Sequence, residues 1–441
     1  MRAGPLDDGP PRRAFADSRR LVGANRWYAG PAVTLAPQGP AATDGAAQGR
    51  WIARVVGTCA ALGWPGPDPR VHLHAGGQLL VFAAPADALQ TAVALNEWAW
   101  ERAAAADPAH AAEGFEPAHP ALDDAREHFR ARAAAERSLP LQRLAEAAAG
   151  HGVPLLADDD SVWLGEGRHA RVWPRAALPL ALDVPWNALR AVPKLLVAGG
   201  RGRAPTARLL AAIAEAAGFA TGLGGAGGAV VGGELLEAGP DGASAVLRHP
   251  AVTAAVLQTD RDELLHRGLP LAQADVALIT DLDADRPGED GLHTGEDLAA
   301  LRLAVAHALR RPGRQRPGTL VLDGLHHPLL RVAVNLPHAA QVRWALFARE
   351  HRAPLLAALR REGGSTCAAR DGRFLLSLQG TEHDLGAVAD MPLAQGTMPA
   401  GTVENLAAAA LAAACMGWPL EAVRAVLARF GDSPDENPGR L

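Results

Sequence analysis

The chain has 441 residues, 49% of them hydrophobic and 21% charged, which is enough apolar sequence for two or three domains with buried cores. Its net charge of −5 provides no basic surface for a nucleic-acid backbone, and no window of about 18 uncharged apolar residues predicts a membrane span. The three cysteines are widely spaced, so we expect neither a disulfide framework nor a zinc knuckle. We expect the protein to reside in a reducing cytoplasm.

The first part of the chain predicts a short arm and a small domain. Residues 1–20 combine proline, glycine and charge without apolar periodicity, which predicts a flexible arm. Residues 21–135 mix short apolar runs with helical periodicity, as over 86–105, which predicts an α+β domain. A helix over 141–150 and two short strands follow. We expect the domain boundary in the connector over 173–193, which is rich in proline and tryptophan.

From residue 194 onward, apolar strands alternate with helices. This alternation predicts a doubly wound, mainly parallel α/β sheet over 194–441. The predicted strands are 195–198, 254–258, 276–280 and 319–322, and the predicted helices are 207–217, 297–310, 337–350, 403–416 and 419–430.

Two glycine-rich segments lie in this second part. Residues 222–227 read GLGGAG and match G-x-G-x-x-G literally. A dinucleotide site needs a helix after this motif, whereas the residues that follow predict a strand, so we expect a flexible glycine loop. The other segment follows the strand at 195–198 and precedes a helix, an arrangement typical of phosphate-binding loops, in which backbone N–H groups face the anion.

The residues of this loop are GGRGRAPT, with Gly199, Gly202 and Thr206 among them. They resemble the G-T/S-N-G-K-T-T-T phosphate loop of Mur ligases and cyanophycin synthetases. The resemblance implies a P-loop-like Mur central fold. Arg203 stands where the family has the lysine that reaches the β- and γ-phosphates, and alanine replaces the hydroxyl that ligates magnesium. Pro205 removes one backbone N–H from the start of the helix.

Further motifs of the family follow in order, most of them altered. The segment AVLQTDRDELLHRGL resembles A-V-L-E-T-A-R-G-G-L-L-R-R-G-L, with Gln258 at the magnesium-binding glutamate and Arg261 at the arginine. TDLDADR resembles T-N-I-x-x-D-H, retaining Asp285 and carrying Arg286 at the histidine. Arg302 occupies the position of a lysine that is often carbamylated in the wider Mur group. LDGLHH lacks both carboxylates of L-N-A-D-D.

The resemblance extends along most of the chain. Residues 21–135 are similar to the non-catalytic leading domain of cyanophycin-synthetase-like proteins, and 136–193 resemble the entrance to an ATP-grasp domain, here a remnant and linker. Asn405 matches the family's N-A-x-A-A helix, and the final NPGRL matches the lead into the C-terminal Mur domain. We therefore expect a degenerate central domain over 194–441, without the ATP-grasp and C-terminal Mur domains.

Together, the altered motifs predict a non-catalytic relative that acts as a scaffold or regulatory partner. Its partner would be an active ligase of this class or a second copy, and no cofactor or metal is expected. One alternative is an ATP-dependent carboxylate–amine ligase that uses MgATP with Arg203 and Arg302 in place of the lysines. Another is a sensor of an acidic peptide or small molecule, held by a cationic pocket of Arg203, Arg261, Arg286 and Arg302.

Overall fold

The computed structural model describes residues 12–119, 125–200, 202–237, 239, 241–269, 271–282, 291–309, 317–336, 339–395 and 401–433. The chain divides into two compact units. The first contains residues 1–23, 28–138 and 288–293, and the second contains 24–27, 139–287 and 294–441. The predicted candidate site lies entirely in the second unit.

The first unit is an antiparallel sheet with packed helices. Its elements are β1 (Phe15–Leu21), β2 (Ala32–Pro37), α1 (Gly45–Ala61), β3 (Arg70–His74), β4 (Gly77–Ala83), α2 (Leu89–Ala104), α3 (Pro108–Ala112) and α4 (Ala125–Glu136). The strands lie in the order β1-β2-β4-β3. Helices α1 and α2 are joined in the core, where Trp51 Nε1 donates a hydrogen bond of 2.9 Å to Asn96 Oδ1. The predicted α+β composition is therefore present in this unit.

The predicted flexible arm over residues 1–20 is wrong for its second half. Strand β1 begins at Phe15 and pairs antiparallel with β2 along its length. The buried indole of Trp100 holds the residue before the strand, because its Nε1 donates to Ala14 O at 2.8 Å. Charged residues such as Arg19 misled the prediction, since an edge strand tolerates charge and need not show a continuous apolar pattern.

Residues 139–174 of the second unit form a small layer, in which a helix and two short strands were predicted. It consists of α5 (Leu139–Gly150) and an antiparallel sheet of β5 (Leu155–Ala157), β6 (Ser161–Leu164) and β7 (Arg171–Pro174). Val184 and Leu189 of the expected linker are buried in its core together with Leu144. The main segment of the first unit ends at Ser138, close to the predicted end of the first domain at residue 135, and the domain boundary expected over 173–193 stays a prediction. Whether 136–193 derive from an ATP-grasp entrance stays a prediction.

The rest of the second unit is built on a single large sheet. Its strands are β8 (Lys194–Ala198), β9 (Thr221–Gly225), β10 (Gly228–Val231), β11 (Glu234–Glu237), β12 (Ala254–Thr259), β13 (Val276–Ile279), β14 (Thr319–Asp323), β15 (Arg343–Glu350), β16 (Ser365–Arg370), β17 (Arg373–Leu378) and β18 (Thr381–Ala387). Its helices are α6 (Arg203–Ala216), α7 (Gly242–Arg248), α8 (Arg261–His266), α9 (Gly295–Arg302), α10 (His327–Val334), α11 (Pro354–Arg361), α12 (Thr402–Cys415) and α13 (Leu420–Leu427).

In the described residues, the strand order is β11-β10-β9-β12-β8-β13-β14-β15-β16-β17-β18. The seven strands from β9 to β16 pair in parallel, and the two strands at each edge pair antiparallel. The chain winds from β8 through β9 and β12 to one side and then through β13 to the other, which confirms the predicted doubly wound, mainly parallel fold.

Buried apolar side chains and one buried ion pair hold this sheet. Helices α6, α12 and α13 bury Leu210, Leu411 and Val423 against the strand side chains. Lys194, the only lysine of the chain, is 1% exposed at the start of β8 and pairs with the buried carboxylate of Glu166. A buried pair costs several kcal/mol to break by removing one partner, so it fixes where the central strand begins.

Two sequence predictions in this unit are wrong. Residues 343–350 form strand β15, not part of a helix over 337–350, because Ala345–Ala348 are buried on both faces between β14 and β16. Such an all-apolar run has no period that separates strand from helix. The expected glycine loop over 222–227 is also largely a strand, since β9 extends to Gly225. A Cβ on Gly224 would lie 2.6 Å from Gly242 O, so glycine is needed for α7 to pack there.

No helix within the described ranges is both long and apolar enough to cross a membrane.

Candidate functional site

The phosphate-loop segment lies where three parallel strands end together. Ala198, the last residue of β8, is level with Thr259 of β12 and Ile279 of β13. Beyond the strand, Thr280 N donates to Ala198 O at 2.9 Å. The carboxyl edge of such a sheet is the usual ligand-binding edge of this fold class. The loop therefore lies at an edge of the sheet where ligands commonly bind in folds of this class.

Two glycines fit the loop closely against its neighbours. A Cβ on Gly199 would lie 2.0 Å from Thr280 Oγ1, and Gly199 has a φ of +142°. Gly202 has a φ of +75°, and a Cβ there would lie 1.9 Å from Asn405 Nδ2. Only glycine leaves the space that these two polar side chains occupy. The structure thus brings Asn405 onto the loop from more than 200 residues away.

The arginine of the loop is held inside the site. Helix α6 begins at Arg203, and its guanidinium Nη1 donates to Gly199 O at 3.3 Å. Its Nη2 lies 3.9 Å from Asp260 Oδ2 in a partly buried ion pair. Pro205 is the third residue of the helix and supplies no N–H. The hydroxyl of Thr206 is buried and makes no hydrogen bond with the described residues. The loop is therefore well formed, but an internal carboxylate already faces its cation.

Acidic side chains begin the neighbouring helix α8. Asp260 is its N-cap and accepts a hydrogen bond of 2.8 Å from Glu263 N. Glu263 is 7% exposed, and burial raises the pKa of its carboxyl, while the Thr259 hydroxyl and the Arg203 guanidinium oppose that rise. The family motif quoted above has alanine and glycine at these two acidic positions. Negative charge therefore stands beside the loop at positions where the motif has none.

A cavity of about 270 Å³ opens beside the first turn of α6. Arg203 and Arg208 from α6, Gln258 and Asp260 from the end of β12, and the hairpin turn between β9 and β10 line it. Because residues 225, 227 and 228 are glycines, the hairpin contributes side chains only from Leu223, Ala226 and Val230. Burial lowers the pKa of Arg208. The cavity thus combines two guanidinium groups with one carboxylate and one amide.

The remaining predicted site residues are only partly brought together. Gln258 is half-buried on the cavity wall, whereas Arg261 and Arg302 do not line it. Arg302 is 1% exposed and lies in the last turn of α9. Asp285 and Arg286 lie outside the described residues, so their predicted roles stay predictions. Of the described members of the expected four-arginine pocket, only Arg203 lines this cavity, and the pocket itself stays a prediction because Arg286 lies outside the described residues.

Two residues of the cavity, Arg208 and Asp260, were not predicted as site residues. Arg208 is five positions after Arg203 and was predicted only as part of the helix. Asp260 was part of a motif but carried no predicted role; its replacement of the motif's alanine by a carboxylate was the available signal. Metal ligation gains no support from the part of the chain that the structure describes, where no three histidine, cysteine, aspartate or glutamate side chains are placed to hold an ion.

Sequence comparison confirms the predicted resemblance. The chain is 29% identical to a cyanophycin synthetase of a Nostoc species over 254 residues, which are 57% of this chain and 27% of that protein. It is 25% identical to a cyanophycin synthetase of Geminocystis herdmanii over 274 residues, which are 61% of this chain and 30% of the relative. The matches therefore span less than a third of these curated relatives. No protein-family model matches the chain.

Solved structures of ligases are also similar to parts of the chain. A UDP-N-acetylmuramoyl-L-alanyl-D-glutamate–2,6-diaminopimelate ligase aligns with a TM-score of 0.40 and 19% identity, covering 54% of this chain and 46% of that chain. FolC of E. coli in complex with DHPP and ADP aligns with a TM-score of 0.34 and 16% identity, covering 54% and 56%.

Proposed function

We propose that this relative of the cyanophycin synthetases is non-catalytic and acts by association, as a scaffold or regulatory partner. The supporting observation is the state of its phosphate loop. The backbone of the loop is formed, with Asn405 over Gly202, but the groups that would bind a triphosphate have been exchanged and its arginine faces Asp260 at 3.9 Å. Because the fold is retained while the site is altered, we favour a role that depends on the fold and not on catalysis.

The residues at the loop do not fit MgATP. Ala204 has no hydroxyl for magnesium, and Gln258 offers a neutral amide where a hard dication prefers a carboxylate. The N–H missing at Pro205 removes one donor from the end of the helix that would face the phosphates. Arg203 can pair with a phosphate, but its planar fork is larger than an ammonium group and does not fill the same space.

A calorimetric titration of the chain with MgATP tests this proposal. We expect no saturation up to millimolar nucleotide, in the wild type and in Arg203→Ala alike. Micromolar affinity that is lost in Arg203→Ala would refute the proposal. Association is tested separately by light scattering after gel filtration, for the chain alone and mixed with a cyanophycin synthetase. If the chain forms neither a complex with itself nor one with the cyanophycin synthetase, the scaffold role is contradicted.

A second candidate function is an ATP-dependent carboxylate–amine ligase. It is favoured by the close fit of Gly199 on Thr280 and of Gly202 under Asn405, which keeps the loop in a formed state. Under this proposal Arg203 would contact the phosphates, and a partner would complete the site. It predicts ADP release when MgATP, an acid and an amino acid are supplied together with a cyanophycin synthetase lacking its own activity. No ADP above that of the Arg203→Ala variant in a broad substrate screen would exclude it.

A further inference from the structure

We propose that Asp260 is a built-in counter-ion of the phosphate loop, which keeps polyphosphates out, and that neutralising it restores their binding through Arg203. This inference rests on the proposed lack of nucleotide binding and adds one residue to the substitutions that oppose such binding. It assigns a specificity-determining role to Asp260, for which the comparison with the family motifs predicted no role.

The geometry places Asp260 beside the arginine of the loop. Asp260 and Arg203 line the same cavity, and their charged atoms are 3.9 Å apart. The register of β12 on β8 brings Asp260 close to the loop. Thr259 is level with Ala198, and the residue after each of these two strands leaves the sheet at the same edge. The loop arginine is further anchored through Gly199 O. A phosphate that approaches the Arg203 guanidinium would therefore also approach the carboxylate of Asp260.

The carboxyl groups beside the loop oppose the binding of an anion there. Arg203 acts on two carboxyl groups, since it pairs with Asp260 and also opposes the raised pKa of Glu263. A like charge within about 4–6 Å disfavours a second anion, and the side chains of the pair are only 23% and 26% exposed. Solvent screens part of this repulsion, so we expect an effect of about tenfold on affinity, not one of several thousandfold.

The local structure allows the charge to be removed without losing the helix cap. Asp260 accepts the hydrogen bond from Glu263 N that begins α8, and asparagine caps helices about as well as aspartate. Asp260→Asn therefore isolates the charge. Asp262 offers a matched control, because it is an exposed aspartate in the first turn of the same helix and Asp262→Asn changes the net charge equally.

The experiment measures the binding of inorganic pyrophosphate and of ADP without magnesium, by calorimetry at low salt, in the whole chain. We expect Asp260→Asn to bind pyrophosphate at least tenfold more tightly than the wild type and Asp262→Asn. The gain should disappear in Asp260→Asn/Arg203→Ala and shrink as sodium chloride is raised. Thermal unfolding of each variant verifies that the fold is kept.

The outcomes separate this inference from the proposed function. If Asp260→Asn binds no better than Asp262→Asn while both remain folded, the counter-ion role is wrong and the non-catalytic proposal stands. If the gain persists without Arg203, the anion binds elsewhere and the role is equally wrong. If the wild type already binds MgATP at micromolar concentration, the proposed function fails, whatever Asp260→Asn does.

Discussion

The close approach of Asn405 to the phosphate loop can be tested by adding one methyl group. In Gly202→Ala the new Cβ would lie 1.9 Å from Asn405 Nδ2, at a residue whose φ is +75°. The left-handed conformation costs an alanine about 1–2 kcal/mol. Displacing the half-buried amide adds about 1–2 kcal/mol, as is usual for a disrupted packed contact. The free energy of unfolding should therefore fall by about 2–4 kcal/mol.

The other end of the same helix provides the control. Gly218 follows α6 with a φ of +92°, and a Cβ there would meet nothing within 4 Å. Gly218→Ala should therefore cost only the conformational term, about 1–2 kcal/mol. In an Asn405→Ala background, Gly202→Ala no longer displaces an amide, so it should lower the free energy of unfolding no more than Gly218→Ala does. The effects of substituting Gly202 and Asn405 should therefore not be additive.

Urea dependence of hydrogen exchange in peptides from α6 gives these free energies. Equal costs for Gly202→Ala and Gly218→Ala would refute the close contact. An unchanged cost of Gly202→Ala after Asn405→Ala would refute it independently.

Two other features of the second unit give further predictions. An amine-reactive ester should leave Lys194 unmodified in the folded chain and modify it after urea unfolding, because its ammonium is buried against Glu166; rapid native labelling seen by mass spectrometry would contradict this. Glu166→Ala should lower the free energy of unfolding by about 3–5 kcal/mol, since it leaves that ammonium buried without its partner; a urea titration showing under about 1 kcal/mol would argue against the pair. For Glu263, burial raises the pKa above its ordinary 4.5, so its ionised form is disfavoured in the fold. Glu263→Gln should therefore raise the Tm most at pH 8, and the gain should shrink as the pH falls towards 4.5; a gain independent of pH would show that charge is not the cause.

The phosphate loop and its surroundings were largely predictable from sequence. The strand before Gly199 is apolar and short, the helix after Gly202 has a clear period, and the glycines mark the turn between them. The family motif then added Asn405, which no local pattern connects with the loop. In the structure its side chain lies against Gly202, and the predicted roles of Asn405 and of the exchanged residues stay predictions.

The missed features depend on tertiary contacts. Strand β15 is buried on both faces, so its run of alanine, leucine and phenylalanine carries no period to separate it from a helix. Gly222–Gly225 form a strand because α7 packs on them, and glycine by itself predicts a loop. The pairing of Asp260 with Arg203 follows from the register of two strands that are more than 50 residues apart. That register is set by the assembled sheet.

We propose that the loop cannot bind a nucleoside triphosphate together with its magnesium ions. Crystals of the wild-type chain soaked with a nonhydrolysable ATP analogue and magnesium test it most directly. We expect no ordered phosphates beside Gly202, and we expect Arg203 still to face Asp260. Ordered phosphates along the first turn of α6, with a coordinated magnesium ion and Arg203 turned towards them, would contradict it.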